Sequence, residues 1–127
     1  MNTKLEELLE KAREAAKAAY APYSGYKVGS AICCADGSIY TGCNIENASY
    51  SLTICAERTA IFKAVSEGHK DFSAIAIYAD SDKAFPPCGA CRQVIIEFAP
   101  NIPVLYANQN ETIESSIEKL LPGAFRL

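Results

Sequence analysis

The sequence contains no tryptophan, one methionine and one histidine, and it has no excess of basic residues. Its 12 Lys and Arg against 15 Asp and Glu give a net charge of −3, which argues against a protein that binds nucleic acid through phosphates. No apolar run approaches the ~18 residues of a membrane-spanning helix. The segment from Met1 to Leu9 lacks the order of charge and apolarity that defines a signal peptide. These absences predict a cytoplasmic protein that binds neither membranes nor nucleic acid.

The residues that are present fit an ordinary globular chain. Of the 127 residues, 50% are hydrophobic and 21% are charged, far from the composition of a disordered chain. The length predicts a single domain over residues 1–127, and no repeat or linker divides it. About two-thirds of the surface of the unfolded chain should be buried, which is enough for a core without disulfides.

Hydrophobic periodicity predicts the order helix, hairpin, helix, strand, helix, strand, helix. The predicted helices cover Thr3–Tyr20, Cys55–Glu67, Gly89–Phe98 and Thr112–Leu121. The predicted strands cover Lys27–Cys34, Ser38–Cys43, Phe72–Ala79 and Ile102–Ala107. Asp36-Gly37 favours a tight turn between the first two strands. We therefore expect an α/β fold with three layers, α-β-α, around a central mixed sheet.

Three of the six cysteines lie at the starts of predicted helices. Cys88 and Cys91 are three residues apart, so both thiols can face the same point, and the positive end of the helix favours thiolates. Cys55, at the start of the preceding helix, can supply a third thiolate. Three protein ligands leave the fourth tetrahedral position open for water, which predicts a catalytic rather than a structural zinc.

Two charged residues follow Cys55 closely. Glu57 lies two positions later, so its carboxylate points to another side of the helix start and can exchange protons with a zinc-activated water without becoming a ligand. Three thiolates would give the zinc site a net negative charge. Arg58 could offset that charge by donating hydrogen bonds to the sulfurs.

Other interpretations of these cysteines remain open. Cys88 and Cys91 could form a redox pair. The zinc could instead be structural, in a binding module without turnover, and would then need a fourth protein ligand. The candidates for that ligand are Cys33, Cys34, Cys43 and His69. We interpret His69, in a polar turn, as a surface residue, and the three hairpin cysteines as small buried or half-buried side chains.

Several spaced motifs resemble a known family. Cys55-Ala56-Glu57 followed by Pro87-Cys88-x-x-Cys91 resembles the zinc nucleoside and nucleobase deaminases. Within that group, the segments GCNIENA at 42–48 and LLPGAF at 120–125 are similar to the small cytidine deaminases. The resemblance covers nearly the whole chain, from Tyr20 to Phe125.

The resemblance implies hydrolytic deamination of cytidine and deoxycytidine to uridine and deoxyuridine plus ammonia, in pyrimidine salvage. It implies one zinc per chain at Cys55, Cys88 and Cys91, with zinc-bound hydroxide as the nucleophile and Glu57 as the proton shuttle. A deaminase of the same fold that acts on a modified pyrimidine nucleoside, or on a base within RNA, is the alternative.

The resemblance also implies which residues contact a pyrimidine nucleoside. Asn44 and Glu46 match residues that hydrogen-bond the ribose 3′-hydroxyl, and Ala56 matches a position that contacts the substrate. Tyr26 stands where the family usually has a phenylalanine beside the substrate. Phe125 matches an aromatic that reaches the active site of a neighbouring subunit, which predicts a homotetramer with shared active sites.

Overall fold

The structure is a computed structural model that describes residues 3–127. Its elements are α1 (Thr3–Ala16), β1 (Lys27–Cys34), β2 (Ile39–Cys43), a 3₁₀ turn (Tyr50–Leu52), α2 (Ala56–Ser66), β3 (Phe72–Asp80), α3 (Gly89–Phe98), β4 (Pro103–Ala107), β5 (Thr112–Ser116) and α4 (Ile117–Leu120). The five strands form one sheet in the order β2-β1-β3-β4-β5. β3 and β4 are parallel, and the other neighbouring strands are antiparallel.

Helices cover both faces of this sheet. Side chains alternate between the faces along each strand, so Ala31 and Ala76 pack under α1, whereas Ile32 and Ile75 pack under α2 and α3. All four are fully buried. The predicted three-layer α-β-α architecture with a mixed sheet is therefore confirmed. Within residues 3–127, every helix is too short or too polar to cross a lipid bilayer.

Two glycines allow the helices to approach the sheet closely. A Cβ atom on Gly29 would lie 1.9 Å from the backbone oxygen of Ala12 in α1, and one on Gly42 would lie 2.5 Å from the backbone nitrogen of Ala60 in α2. Because the obstructing atoms are backbone, neither helix could yield without moving as a whole. Gly42 therefore sets the distance between β2 and α2, whose first turn carries residues predicted for the site.

Most predicted elements agree with the structure to within one residue at either end. The first helix is shorter than predicted and ends at Ala16. The reason is a competing backbone interaction: the Tyr20 N–H donates to the Asn44 carbonyl at 3.0 Å, and the Glu46 N–H donates to the Tyr20 carbonyl at 2.8 Å. These bonds pull Tyr20 into a short parallel bridge beside β2 and end the helix before it.

The predicted helix over Thr112–Leu121 is wrong. Residues Thr112–Ser116 form the edge strand β5, which pairs with β4, and only Ile117–Leu120 are helical. Pairing with β5 gives hydrogen-bond partners to backbone N–H and C=O groups of β4 that would otherwise lie unpaired at the sheet edge. The gain from these hydrogen bonds outweighs the weak helical pattern of the sequence. The Ser116 hydroxyl accepts the Lys119 N–H at 3.3 Å and so caps the short helix.

Candidate active site

Three cysteines meet between the N-termini of α2 and α3. Cys55 is the N-cap residue of α2, Cys88 is the N-cap residue of α3, and Cys91 lies in the first turn of α3. The Sγ atoms of Cys55 and Cys88 are 3.8 Å apart, and all three Sγ atoms lie within 4.8 Å of one another. Neither N-cap thiol caps its own helix, so the sulfurs remain available to a common ligand. We call these three residues the sulfur cluster.

The surroundings of the sulfur cluster favour the thiolate form of Cys55. A hydrogen bond from Cys91, followed in importance by the Arg58 guanidinium, lowers the pKa of Cys55 to about 5 despite burial. The same shared hydrogen bond and burial raise the pKa of Cys91. Arg58 Nη2 donates to Cys55 Sγ at 3.4 Å, as the sequence predicted. The buried Nε atom of Arg58 has no hydrogen-bond partner within residues 3–127.

This donor set fits zinc. Three thiols at two helix N-termini, with an arginine that offsets their charge, are soft ligands of the kind zinc accepts. Among the described residues, no histidine, carboxylate or further cysteine joins the three sulfurs in the group, so the protein supplies three ligands rather than four. The cysteines at 33, 34 and 43 are buried or half-buried and lie outside the sulfur cluster, as predicted.

Glu57 lies in the first turn of α2, beside the sulfur cluster. Its side chain is only 5% exposed, and burial raises the pKa of its carboxyl group from 4.5 to about 7. A carboxyl group with such a pKa can both accept and release a proton near neutral pH.

A cleft of about 250 Å³ opens beside Glu57. Its lining residues are Val28, Asn44, Glu46, Thr53, Ile54, Cys55, Ala56, Glu57, Ile77, Phe85, Pro86 and Cys88. The apolar members supply flat contact surface, and the polar members are concentrated near the sulfur cluster and at Asn44 and Glu46. The mixture of apolar walls and a few polar groups is typical of a site for one small molecule.

Asn44 and Glu46 hold the rim of the cleft in place. Asn44 Oδ1 accepts the Val28 N–H at 2.9 Å, and its Nδ2 donates to the Tyr26 carbonyl at 2.8 Å. Glu46 accepts the backbone N–H groups of Tyr23 and Ser24 at 2.9 and 3.0 Å, together with the Ser24 hydroxyl. The Ser24 hydroxyl and then the Ser24 N–H lower the pKa of Glu46. Each side chain retains free hydrogen-bonding capacity toward the cleft.

Two aromatic residues predicted at the site lie outside the cleft lining of this chain. Tyr26 is half exposed and packs edge-on against Phe85, with ring centroids 5.5 Å apart. Phe85 itself lines the cleft, and the sequence reasoning missed it. Its position just before Pro86-Pro87-Cys88, in a loop leading to a predicted ligand, was the available signal.

Phe125 is 69% exposed and lies in the segment after α4. Two neighbours of Cys91 hold this segment against α3. Arg92 Nη1 donates to the Leu120 carbonyl at 2.8 Å, and Gln93 Nε2 donates to the Phe125 carbonyl at 2.9 Å. Arg92 Nε also donates to the Pro87 carbonyl at 2.7 Å. One guanidinium thus joins the turn before Cys88 to the segment that carries the exposed ring.

Comparison with known proteins identifies the family. A family profile for the cytidine and deoxycytidylate deaminase zinc-binding region matches residues 2–107. A cytidine deaminase from Sporosarcina psychrophila is 52% identical over 123 residues, covering 95% of this chain and 90% of that relative. The chain belongs to the cytidine and deoxycytidylate deaminase family. The region matched to this deaminase family contains the whole sulfur cluster and Glu57.

Two further deaminases extend the comparison. The crystal structure of cytidine deaminase from Burkholderia pseudomallei matches 98% of this chain and 100% of its own, at a TM-score of 0.91 and 46% identity. Blasticidin-S deaminase from Bacillus cereus is 37% identical over 105 residues, covering 76% of this chain and 75% of that relative. The predicted cytidine deaminase-like fold is confirmed.

Proposed function

We propose that this chain hydrolytically deaminates cytidine and deoxycytidine to uridine and deoxyuridine, releasing ammonia in pyrimidine salvage. The observation that carries the proposal is the buried carboxyl group of Glu57 beside three convergent thiols at one end of a nucleoside-sized cleft. Family membership and 52% identity to a cytidine deaminase support the same activity.

In this proposal Cys55, Cys88 and Cys91 would hold one zinc ion per chain. The ion would supply Lewis acidity that makes a water molecule a competent nucleophile at neutral pH. Arg58 offsets the charge of the thiolates through its bond to Cys55 Sγ. Apolar side chains, among them Ile77, Phe85 and Pro86, form part of the cleft wall beside the reacting groups.

Glu57 carries the proton through the reaction. Its carboxylate accepts a proton from the attacking water as the oxygen bonds to C4 of the pyrimidine, and it delivers that proton to the ring nitrogen N3. It then moves a second proton from the new hydroxyl group to the departing amine, which leaves as ammonia. The pKa of about 7 suits this two-way transfer, because both protonation states are accessible near neutral pH.

Asn44 and Glu46 orient the sugar in this proposal. Their bonds to the backbone of Val28 and Tyr23 fix them before substrate arrives, and their remaining acceptor and donor groups face the cleft. Ala56 gives the base a small, flat neighbour, and Phe85 offers an aromatic surface backed by Tyr26. A site built to pair hydroxyl groups discriminates strongly against ligands that lack them.

A second candidate is a deaminase that prefers a modified nucleoside. The observation in its favour is the 37% identity to blasticidin-S deaminase, which covers less of the chain than the match to cytidine deaminase. The test is to measure ammonia release by zinc-loaded protein from cytidine, deoxycytidine, cytosine, adenosine, blasticidin S and a short RNA.

We expect rapid release from cytidine and deoxycytidine and poor release from free cytosine. Release from blasticidin S alone would favour the second candidate. No release from any compound by protein that contains zinc would contradict both and favour a binding module. The variant Glu46→Gln should lose activity toward cytidine more than toward cytosine, since only cytidine carries the sugar.

We also propose that the protein is a cytoplasmic homotetramer. In this assembly Phe125 of one subunit would close the cleft of another, and the ligands would be zinc and a nucleoside. The exposed ring of Phe125 and its tether through Gln93 support this. A reducing compartment also suits three free thiols. Phe125→Ala should raise KM with zinc content unchanged. Mixed tetramers with Glu57→Gln should recover activity, whereas a fully active monomer in light scattering would contradict the proposal.

A further inference from the structure

A second group of metal-ligating side chains lies at the other end of α2. Cys34 ends β1, Asp36 lies in the turn between β1 and β2, and His69 follows the C-terminus of α2. One ligand atom from each residue lies within 4.8 Å of the other two, the same separation that contains the sulfur cluster. The Nδ1 atom of His69 is 3.7 Å from Asp36 Oδ2. We call these three residues the mixed cluster.

The backbone holds the two turns of the mixed cluster together. The Ala35 N–H donates to the Asp71 carbonyl at 2.8 Å and so joins the β1–β2 turn to the segment before β3. Gly68 adopts a φ of +94°, and the His69 N–H then bonds back to the Ala64 carbonyl at 3.0 Å. This left-handed residue ends α2 and directs His69 toward the hairpin. The three side chains therefore converge through fixed backbone rather than through long flexible side chains.

Burial differs in a graded way across the mixed cluster. Cys34 is 1% exposed, the His69 side chain is 27% exposed and the Asp36 side chain is 60% exposed. The His69 ring packs against Tyr40 with centroids 5.3 Å apart. A polar cavity of about 150 Å³ beside them is lined by Ala35, Asp36, Gly68, His69, Lys70 and Asp71. A cation could thus enter from solvent beside Asp36 and His69 and keep water as a further ligand.

We propose that Cys34, Asp36 and His69 form a second, independent site for a divalent cation of the zinc class. Sulfur, imidazole nitrogen and carboxylate oxygen together suit Zn²⁺ or Co²⁺, whereas Ca²⁺ and Mg²⁺ require oxygen ligands. The carbonyl groups at the C-terminus of α2 add negative potential there. The bound ion would fasten the β1–β2 turn to the α2–β3 turn.

The site is separate from the sulfur cluster. The eleven residues of α2 lie between them, a distance of about 16 Å along the helix. Each cluster can therefore be occupied and altered without the other. The site would be filled at higher metal concentration than the sulfur cluster, because only one of its ligands is a thiol and one is largely exposed.

The test begins with protein that contains one equivalent of zinc, to which Co²⁺ is added. A cobalt–thiolate bond gives near-ultraviolet charge-transfer absorption, and the zinc content of the same samples is measured by mass spectrometry. We expect one further equivalent of Co²⁺ with this absorption and no loss of zinc. The thermal midpoint should rise with Co²⁺ concentration, since the ion binds the folded chain.

Cys34→Ser, Asp36→Asn and His69→Gln should each abolish the added absorption and the rise in thermal midpoint. Cys33→Ser is the matched control, because the neighbouring cysteine packs against the α1 side of the sheet and should leave both signals intact. His69→Gln and Asp36→Asn keep the test valid if Cys34→Ser impairs folding. Absorption that appears only as zinc is lost, or that persists in His69→Gln, would overturn the proposal.

Discussion

The two ends of α2 carry two clusters of ligand residues built on opposite principles. At the N-terminus, two helix dipoles and Arg58 gather three thiols, and one of them has its pKa lowered to about 5. Near the C-terminus, a single thiol, an imidazole and a carboxylate lie together. The first environment stabilises the Cys55 thiolate before any metal arrives, whereas the second favours the cation itself.

This difference predicts that the two ends of α2 have different functions. Three thiols with one already favoured as a thiolate suit tight zinc binding, and the buried carboxyl group of Glu57 adds proton transfer beside them. The mixed cluster has no buried acid next to it among the described residues, and its carboxylate faces solvent. We therefore expect catalysis to depend on the N-terminal end alone, and the following experiments test that division.

The largest effect should come from Cys88→Ala. Removing one of three thiolates should abolish retention of the catalytic zinc and all measurable deamination, because two ligands cannot hold the ion at physiological concentration. Zinc content and ammonia release are measured on the same preparation. His69→Gln is the matched change at the other end of α2 and should leave both unchanged. Full zinc retention in Cys88→Ala would show that Cys88 is not a ligand of the catalytic zinc.

Glu57→Gln should have the next largest effect. Glutamine keeps the size of the side chain but cannot carry a proton, so turnover should fall by at least ~10². Zinc content should stay at the wild-type level, which separates this residue from the ligands. The check is steady-state kinetics with cytidine beside metal analysis, and near-normal turnover would exclude Glu57 as the shuttle.

Arg58→Ala should weaken zinc binding by about 10–100-fold, since the guanidinium donates to Cys55 Sγ and offsets thiolate charge. Competition with a chromophoric chelator measures the affinity. Arg13→Ala, an exposed residue of α1, is the control variant and should have no effect. Equal affinity in the wild type and Arg58→Ala would show that the helix dipoles alone stabilise the thiolates.

The smallest effect concerns Glu46, whose pKa is lowered from 4.5 by the hydroxyl and N–H of Ser24. A lowered pKa in the folded state stabilises the fold above pH 4.5, and that stabilisation is lost as the pH falls through the folded value. Urea unfolding at a series of acidic pH values should show a shallower decline in Glu46→Gln than in the wild type. Glu97→Gln, on the exposed side of α3, should keep the wild-type slope.

The sequence predicted the N-terminal end of α2 far better than the C-terminal end. At the N-terminal end, the site residues are close in sequence: Cys55, Glu57 and Arg58 lie in one helical turn, and Cys88 and Cys91 in another. Helix geometry alone therefore predicts which of these side chains lie near one another. Cys34 and His69 were considered only as possible fourth ligands of the sulfur cluster. Their meeting depends on the register of β1 with β3 and on the left-handed turn at Gly68.

From the sequence, His69 is a residue of a polar turn and nothing more. In the structure its ring also packs on Tyr40, and its side chain is 27% exposed. β5 was missed because its pairing partner, β4, decides its structure, and a five-residue edge strand carries little periodicity of its own. Phe85 was missed because a loop's approach to a cleft depends on the tertiary fold.

The hydrogen bonds of Arg92 have a consequence for the order of events during synthesis on the ribosome. This side chain joins the Pro87 carbonyl to the Leu120 carbonyl, and Leu120 is translated after every cysteine of the sulfur cluster. A nascent chain that has emerged only through β4 has all its thiols, and Arg92 can already bond the Pro87 carbonyl, but the Leu120 acceptor is still missing. The guanidinium therefore ties the turn before Cys88 to the C-terminal segment only after that segment has been synthesised.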